Sequence, residues 1–298
     1  MYDCIVVGGG IAGLQAAIQL GRYEHKVLVI DKGYGRSTLC RSYHNLLGWP
    51  DGVSGEEIRT IGRNQATNLG VQFVEDEVIE VQQKEDIFEF KVKNSTHTYQ
   101  GKRVLLATGV LDRFPPLPGL VPCLGLTVYI CPDCDGYEIK GHRTIVMGSG
   151  NTGASMALTL TYWEKDIIYI NHEHATIDQS KLDELHNKNI TVIEQPIERV
   201  LTGKEWEFQG VQLHSGEEIK GSRGFIAFGG NEVKSDLAKQ LGIERLENKH
   251  IVTDPRSKMT SVKNVWAAGD VGVHSEQVTI AMGEGSQAAI WIHKSLLN

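Results

Sequence analysis

"YDCIVVGGGIAGLQAAIQL", residues 2–20, decides how the rest of the chain is read. A short apolar run enters Gly8-Gly9-Gly10-Ile11-Ala12-Gly13, and helical spacing follows. A second apolar run, residues 26–30, ends at Asp31. Strand, glycine turn, helix, strand and acid make up the dinucleotide-binding fingerprint in the context it requires. Gly8 permits the tight turn, Gly10 lets the backbone approach a pyrophosphate, and Gly13 lets helix and strand pack closely. The free N–H groups of the helix N-terminus face the phosphates. Asp31, eighteen residues after Gly13, is placed to bind ribose hydroxyls.

The pattern recurs in "RTIVMGSGNTGASMALTL", residues 143–160. An apolar run enters Gly148-Ser149-Gly150-Asn151-Thr152-Gly153, a helix follows, and residues 167–170 read as the next strand. Gly148, Gly150 and Gly153 thus form a second nucleotide turn, 140 residues after the first. The duplication predicts an α/β fold with two Rossmann-like domains of the three-layer ββα kind. "FPPLPGL", residues 114–120, holds three prolines and cannot be helix. "AFGGNEV", residues 227–233, follows a strand and carries paired glycines. These linkers place the second domain at 113–231, inserted in a first domain of 1–112 and 232–298. Two chain crossings join them and can act as a hinge. Residues 71–104 and 190–211 alternate apolar and polar residues, which predicts antiparallel strands with one wet face.

Composition narrows the function. The chain has 298 residues, 41% hydrophobic and 22% charged, which reads as a soluble globular protein. A net charge of −7 favours neither nucleic acid nor an anionic membrane surface. No apolar run approaches the roughly 18 residues that span a bilayer. The first residues read as a strand and not as a signal peptide, so a cytoplasmic protein is expected. The five cysteines are too sparse and too odd in number for a structural disulfide framework.

Only Cys131 and Cys134 are closely spaced, in Cys131-Pro132-Asp133-Cys134-Asp135-Gly136. Two intervening residues let both sulfurs reach disulfide distance within one turn. A CxxC can also be half of a zinc site, but that needs a second ligand pair, and Cys4, Cys40 and Cys123 are scattered singly. A redox dithiol is expected, and no metal. Cys4 reads as a small buried hydrophobe. Cys40 falls alone in the loop after Asp31.

Taken together, these features resemble the low-molecular-weight thioredoxin reductase family over nearly the whole chain. The N-terminal fingerprint, "LLATG" at 105–109, the dithiol inside the second domain and "VWAAGDV" at 265–271 stand in the family's order. The resemblance implies FAD, with Thr108 and Gly109 of one signature and Gly269 and Asp270 of the other at the cofactor. Asp270 would hold the ribityl and phosphate region, and Gln277 and Val278, opening the last helix, the pyrimidine end. It implies that Cys134 faces the flavin, that Cys131 is the interchange thiol, and that Asp135 is the proton-shuttling acid. A carboxylate beside a thiolate should carry a raised pKa, through like-charge repulsion and burial. The resemblance further implies a homodimer, a rotating middle domain, and a thioredoxin-like protein or a small disulfide or dithiol as partner.

The second nucleotide turn departs from the family pattern. NADPH-using members carry paired arginines after the second strand of this domain, which bind the 2′-phosphate. Here residues 166–179 contain neither arginine nor lysine, and Glu173 would repel that phosphate. Ser155 and Met156 replace acidic residues, and Glu276-Gln277 replaces an Arg-Gln pair. NADPH is therefore disfavoured. The turn binds NADH with Glu173 on the ribose, or it is a relic that carries the dithiol, or His172 and His174 bind something else. Ferredoxin is an alternative donor, as in ferredoxin-dependent flavin thioredoxin reductases. Electrons could also run from a dithiol to oxygen, as in the dithiol oxidases that act on gliotoxin and holomycin. Their dithiol is often followed by histidine; Asp135 here favours reductase-like chemistry. A non-catalytic FAD redox sensor is the third class. In "RSYHNLLGWPDGVSGEEI", residues 41–58, the family contacts flavin and dimer partner, and His44 reads first as an ordinary loop histidine and second as a proton donor near the flavin.

Overall fold

A computed structural model describes residues 1–273 and 275–297. The chain divides into two compact units. One comprises Met1–Thr38, Gly55–Leu111 and Glu232–Asn298; the other comprises Leu39–Ser54 and Asp112–Asn231.

In the first unit the apolar runs become parallel strands. Tyr2–Val7 pairs with Val27–Asp31 on one side and Thr98–Leu106 on the other. Gln72–Glu75 and Val265–Ala267 extend the parallel part at either flank. The early half of the long Thr98–Leu106 strand pairs antiparallel with Ile87–Val92, which pairs with Val78–Lys84. One seven-stranded sheet thus has a parallel and an antiparallel part. The expectation of antiparallel strands throughout 71–104 fails at Gln72–Glu75, whose partner is Val27–Asp31. Tyr2–Val7, Val27–Asp31 and Val265–Ala267 are largely buried and apolar, as strands covered on both faces must be, whereas the edge strand Gln72–Glu75 is partly exposed. The helices Ile11–Arg22 and Val278–Leu296 are rich in small residues, and Ala16, Ala17, Ala288 and Ala289 are all fully buried. Small side chains let the two helices approach closely.

The second unit repeats the plan in shorter form. Five parallel strands run in the order Thr191–Ile193, Ile167–Asn171, Thr144–Gly148, Arg223–Ala227, Val128–Tyr129. A separate antiparallel sheet is formed by Ile197–Thr202, Phe208–Leu213 and Glu218–Lys220. The helix Gly150–Leu160 starts inside the glycine turn, four residues earlier than the periodicity suggested.

The linkers in the sequence place all of 1–112 in the first domain. The structure places Leu39–Ser54 in the second unit instead. The reason is local packing. Gly125 has a positive φ of 67°, and a Cβ there would lie 2.5 Å from the Arg41 nitrogen and 2.6 Å from the Cys40 Cα. The Arg41 guanidinium donates to the Pro122 carbonyl at 3.2 Å. The chain therefore passes between the units four times, and Cys40 packs with the second unit. No helix among the described residues is long and apolar enough to cross a membrane.

Phe88 is fully buried in the core of the first unit, among Val81, Phe90 and Val104. Phe88→Ala should cost roughly 3–5 kcal/mol through lost burial and an unfilled cavity. Urea unfolding of the FAD-loaded protein checks this.

Candidate functional site

The first glycine turn is built by close backbone approach. Gly8 has φ +102°, and a Cβ on it would meet the Ala107 carbonyl at 2.3 Å. A Cβ on Gly13 would meet the Gly8 carbonyl at 1.9 Å. No other residue fits either position. Gly10 differs: its Cβ direction meets nothing within 4 Å, so space is left over the helix N-terminus. Gly9 lies against the Asp31 carboxylate, 2.9 Å from a would-be Cβ. Free helix N–H groups, an open middle glycine and an acid beside the turn fit a dinucleotide.

The remaining sequence-predicted residues of this unit gather at the same edge. Asp31, Thr108 and Gly269 each lie at or just past the C-terminal end of a parallel strand, where such folds bind ligands. Gly109 has φ +67° and its carbonyl accepts from Lys234 N at 3.0 Å. The Thr108 hydroxyl donates to the Lys234 carbonyl. Gln277 is the N-cap of the last helix, and its carbonyl accepts the first helical bond, from Ala281 N at 2.9 Å. Val278 is buried as the first helical residue.

Sequence reasoning missed the charges that hold these loops. Arg59 donates to Asp31 at 2.8 Å. Arg36 donates to Asp270 at 3.0 Å and also pairs with Glu276. Glu284 is 7% exposed in the last helix; one of its oxygens accepts from Gly269 N at 3.0 Å and the other from Lys258 Nζ at 2.7 Å. A buried carboxylate this well satisfied fixes the Gly269–Asp270 turn. An acid within an otherwise small and apolar helix was the available signal for Glu284.

The dithiol lies in the second unit. Cys131 is the extended N-cap of the short Pro132–Asp135 helix. Its carbonyl accepts from Cys134 N at 3.2 Å and from Asp135 N at 3.0 Å, which turns the two sulfurs to one side. Both cysteines are half-buried. Their thiols are unequal. The hydrogen bond from the Cys134 thiol holds Cys131 below the ordinary thiol value, against burial. That same bond pushes Cys134 upward, and burial adds to it. Asp135 is raised to about 7, chiefly by burial and then by the charge of Glu138. The expected rise is present, with Glu138 as the like charge. Cys40 is pushed up to about 12 by burial and by Asp135. Its thiol therefore stays protonated and unreactive near neutrality. Cys4 is fully buried and also raised. Among the described residues no cluster of three or more His, Cys, Asp or Glu could hold a metal.

The second glycine turn shares only part of the first one's geometry. Gly153 packs against Tyr169, whose ring would lie 2.4 Å from a Cβ there. Gly148 approaches the Ala227 carbonyl as Gly8 approaches Ala107. Gly150 is covered: a Cβ on it would meet the Thr176 carbonyl at 2.9 Å and the Ala175 Cβ at 3.0 Å. Glu173 is turned to Arg113, which also donates to the Phe228 carbonyl at 3.2 Å. Lys181 donates to Ser155 at 2.8 Å. Two cations thus approach from outside the 166–179 stretch, and both are engaged. His172 Nδ1 accepts from Ile197 N at 2.8 Å, and burial lowers its pKa. His174 stays exposed, 3.9 Å from Glu194. A cavity of about 100 Å³ beside the turn is lined by Arg113, Thr152, Met156, Phe228 and Asn231. That is small against the roughly 300 Å³ or more of typical ligand pockets.

Comparison with known proteins places the chain in a family. The model of the pyridine nucleotide-disulphide oxidoreductase family matches residues 2–285. The thioredoxin reductase of Treponema pallidum is 30% identical, covering 97% of this chain and 95% of its own length. The crystal structure of a putative thioredoxin reductase TrxB from Bacillus anthracis superposes with a TM-score of 0.86 at 30% identity, covering 100% of this chain and 99% of that one. The crystal structure of a protein named HlmI gives a TM-score of 0.88 at 29% identity, covering 99% and 92%.

Asp135 carries a testable sign. Its folded pKa, about 7, lies above the ordinary 3.8. The folded protein therefore keeps a proton that the unfolded chain releases. The contribution to stability is full below pH about 4 and is lost as pH rises through about 7. Asp135→Asn should flatten the fall in urea midpoint between pH 5 and pH 8 relative to the wild type.

Proposed function

The chain belongs to the pyridine nucleotide-disulphide oxidoreductase family, as an oxidoreductase of the low-molecular-weight thioredoxin reductase type, and we propose that its Cys131–Cys134 dithiol reduces a protein or small-molecule disulfide. The observation that carries this is the turn that sets Cys131 and Cys134 side by side with Asp135 next to them, where the thiols are unequal and the acid is raised to about 7. FAD, held by the residues around Gly8, Gly10, Gly13 and Asp270, supplies when bound the two-electron carrier that restores the dithiol.

The low-pKa Cys131 thiolate attacks one sulfur of the substrate disulfide. A Cys131–substrate bond forms, the substrate S–S bond breaks, and the first substrate thiolate leaves and takes a proton. Cys134 then gives its proton to Asp135 and attacks the Cys131 sulfur. The second substrate thiolate leaves. The dithiol has lost two electrons, and the substrate disulfide has gained them. An acid with a pKa of about 7 can accept that proton and release it in the same pH range. The high pKa of Cys134 makes this acceptor necessary.

The electron donor in this reading is not NADPH. It is a redox protein such as ferredoxin, or a small dithiol. The absence of arginine and lysine from residues 166–179, with Glu173 among them, supports this. A thioredoxin-like protein is the favoured disulfide partner, and a cytoplasmic homodimer the expected form.

Anaerobic titration of the bound flavin with NADPH, NADH, reduced ferredoxin and a dithiol tests the donor. Bleaching by ferredoxin or the dithiol is expected; rapid bleaching by NADPH would overturn the donor assignment. Hydrogen peroxide released from a dithiol in air would reverse the direction of flow. Iodoacetamide at pH 7 should label Cys131 well before Cys134, read by peptide mass spectrometry. Asp135→Asn should lower disulfide turnover by roughly 10²-fold or more. Cys134→Ser should abolish turnover, and retained turnover would sink the mechanism.

A further inference from the structure

The two glycine turns can be compared position by position, because their strands share one register. Val7 pairs with Ile30 and Met147 with Ile170, so Gly8 corresponds to Gly148 and Asp31 to Asn171. By the same count Gly10 corresponds to Gly150. An amide in the second unit therefore stands where the first unit has its ribose-facing acid.

Asn171 is 1% exposed, and its side chain is fully committed. Its Oδ1 accepts from Gly150 N at 2.9 Å, which takes an N–H of the phosphate cradle. Its Nδ2 donates to the Ala175 carbonyl and to Glu194, both at 2.8 Å. The first of these bonds folds the following segment back over the turn. Asp178 N donates to the Asn151 side chain at 2.9 Å and fixes the far end. His172 N donates to the Gly148 carbonyl at 2.9 Å and fixes the near end. Between them the Thr176 carbonyl and Ala175 Cβ lie against Gly150, which adopts φ +49°, whereas a Cβ on Gly10, at φ −75°, would meet nothing within 4 Å. A carbonyl oxygen thus lies over the glycine turn, and a pyrophosphate approaching Gly150 from that side would meet it and be repelled by it.

We infer that residues 171–178 are a built-in stopper of the second dinucleotide turn, with Asn171 as the specificity-determining residue that closes it. This deepens the function proposed above and rests on it only for the nature of the donor. A carboxylate at 171 cannot close the stopper. It has no proton to donate to the Ala175 carbonyl, and it repels Glu194. Asn171→Asp therefore releases the segment and restores, at this position, the acid type found at Asp31.

The test uses the full-length FAD-loaded protein, titrated with NADH and with NADPH by calorimetry. The wild type should show no binding of either up to about 1 mM, and N171D should bind NADH at least tenfold more tightly than the wild type. Hydrogen exchange of the amides in 172–178 should rise in N171D while the Phe88 core strands keep their protection, which separates opening from unfolding. Micromolar binding of either nucleotide by the wild type overturns the inference. So does N171D with unchanged exchange in 172–178, and so does a loosened segment with no gain in NADH binding. Flavin reduction by a dithiol or ferredoxin reports separately on the proposed function. Its failure with the stopper results intact would sink the donor and leave the stopper standing.

Discussion

Each helix that follows a glycine turn can sit on its strand only because one residue of its first turn has no Cβ. At Gly13 the helix meets the Gly8 carbonyl, and at Gly153 it meets the ring of Tyr169. That approach aims the helix N-terminus and its free N–H groups over the strand ends. Everything chemical in the first unit hangs from this placement: Asp31 beside Gly9, the Gly269–Asp270 turn tied to Glu284, and Arg36 between Asp270 and Glu276. What lies over the middle glycine is a separate matter. It is open at Gly10 and covered at Gly150, although the two motifs read alike.

The dithiol shows how little geometry is needed to make two like groups unlike. Four residues of helix bring the thiols together, and a single hydrogen bond between them divides their acidities. The bond stabilises one thiolate by using the proton of its neighbour. Once Cys131 has reacted, that donor role is gone and the Cys134 proton needs another acceptor. Asp135 adjoins it in sequence and is tuned by burial to hold or release a proton near neutrality. Cys40 is pushed up as well, by burial and by Asp135, and stays an inert thiol.

The sequence made the local features legible and hid the distant ones. Strand, turn, helix and Asp31 lie within thirty-one residues, so spacing alone locates them. The rise in the Asp135 pKa was readable from its neighbours, though Glu138 as the like charge was not named. Arg113 reaches Glu173 across sixty residues, and no period or motif announces such a pair. Glu284 and Lys258 were unread for the same reason. Asn171 was in plain view, but an amide at a strand end reads as an ordinary polar cap until its three partners are known. The packing of Leu39–Ser54 is not legible in the sequence, because neither charge nor apolar pattern says which core a loop packs against. The backbone contact at Gly125 decides it, some eighty residues away.

That last feature bears on how the protein is made. Leu39–Ser54 belongs to a unit whose other residues begin at Asp112, and the first unit waits for the strand Val265–Ala267 and the helix Val278–Leu296. Neither body can close while the chain is half synthesised. At about 5–20 residues per second, nascent apolar strands stay uncovered for many seconds on the ribosome. Long-range pairing of this kind also slows closure after release. Interlaced domains therefore leave these apolar segments unpaired until the last helix arrives.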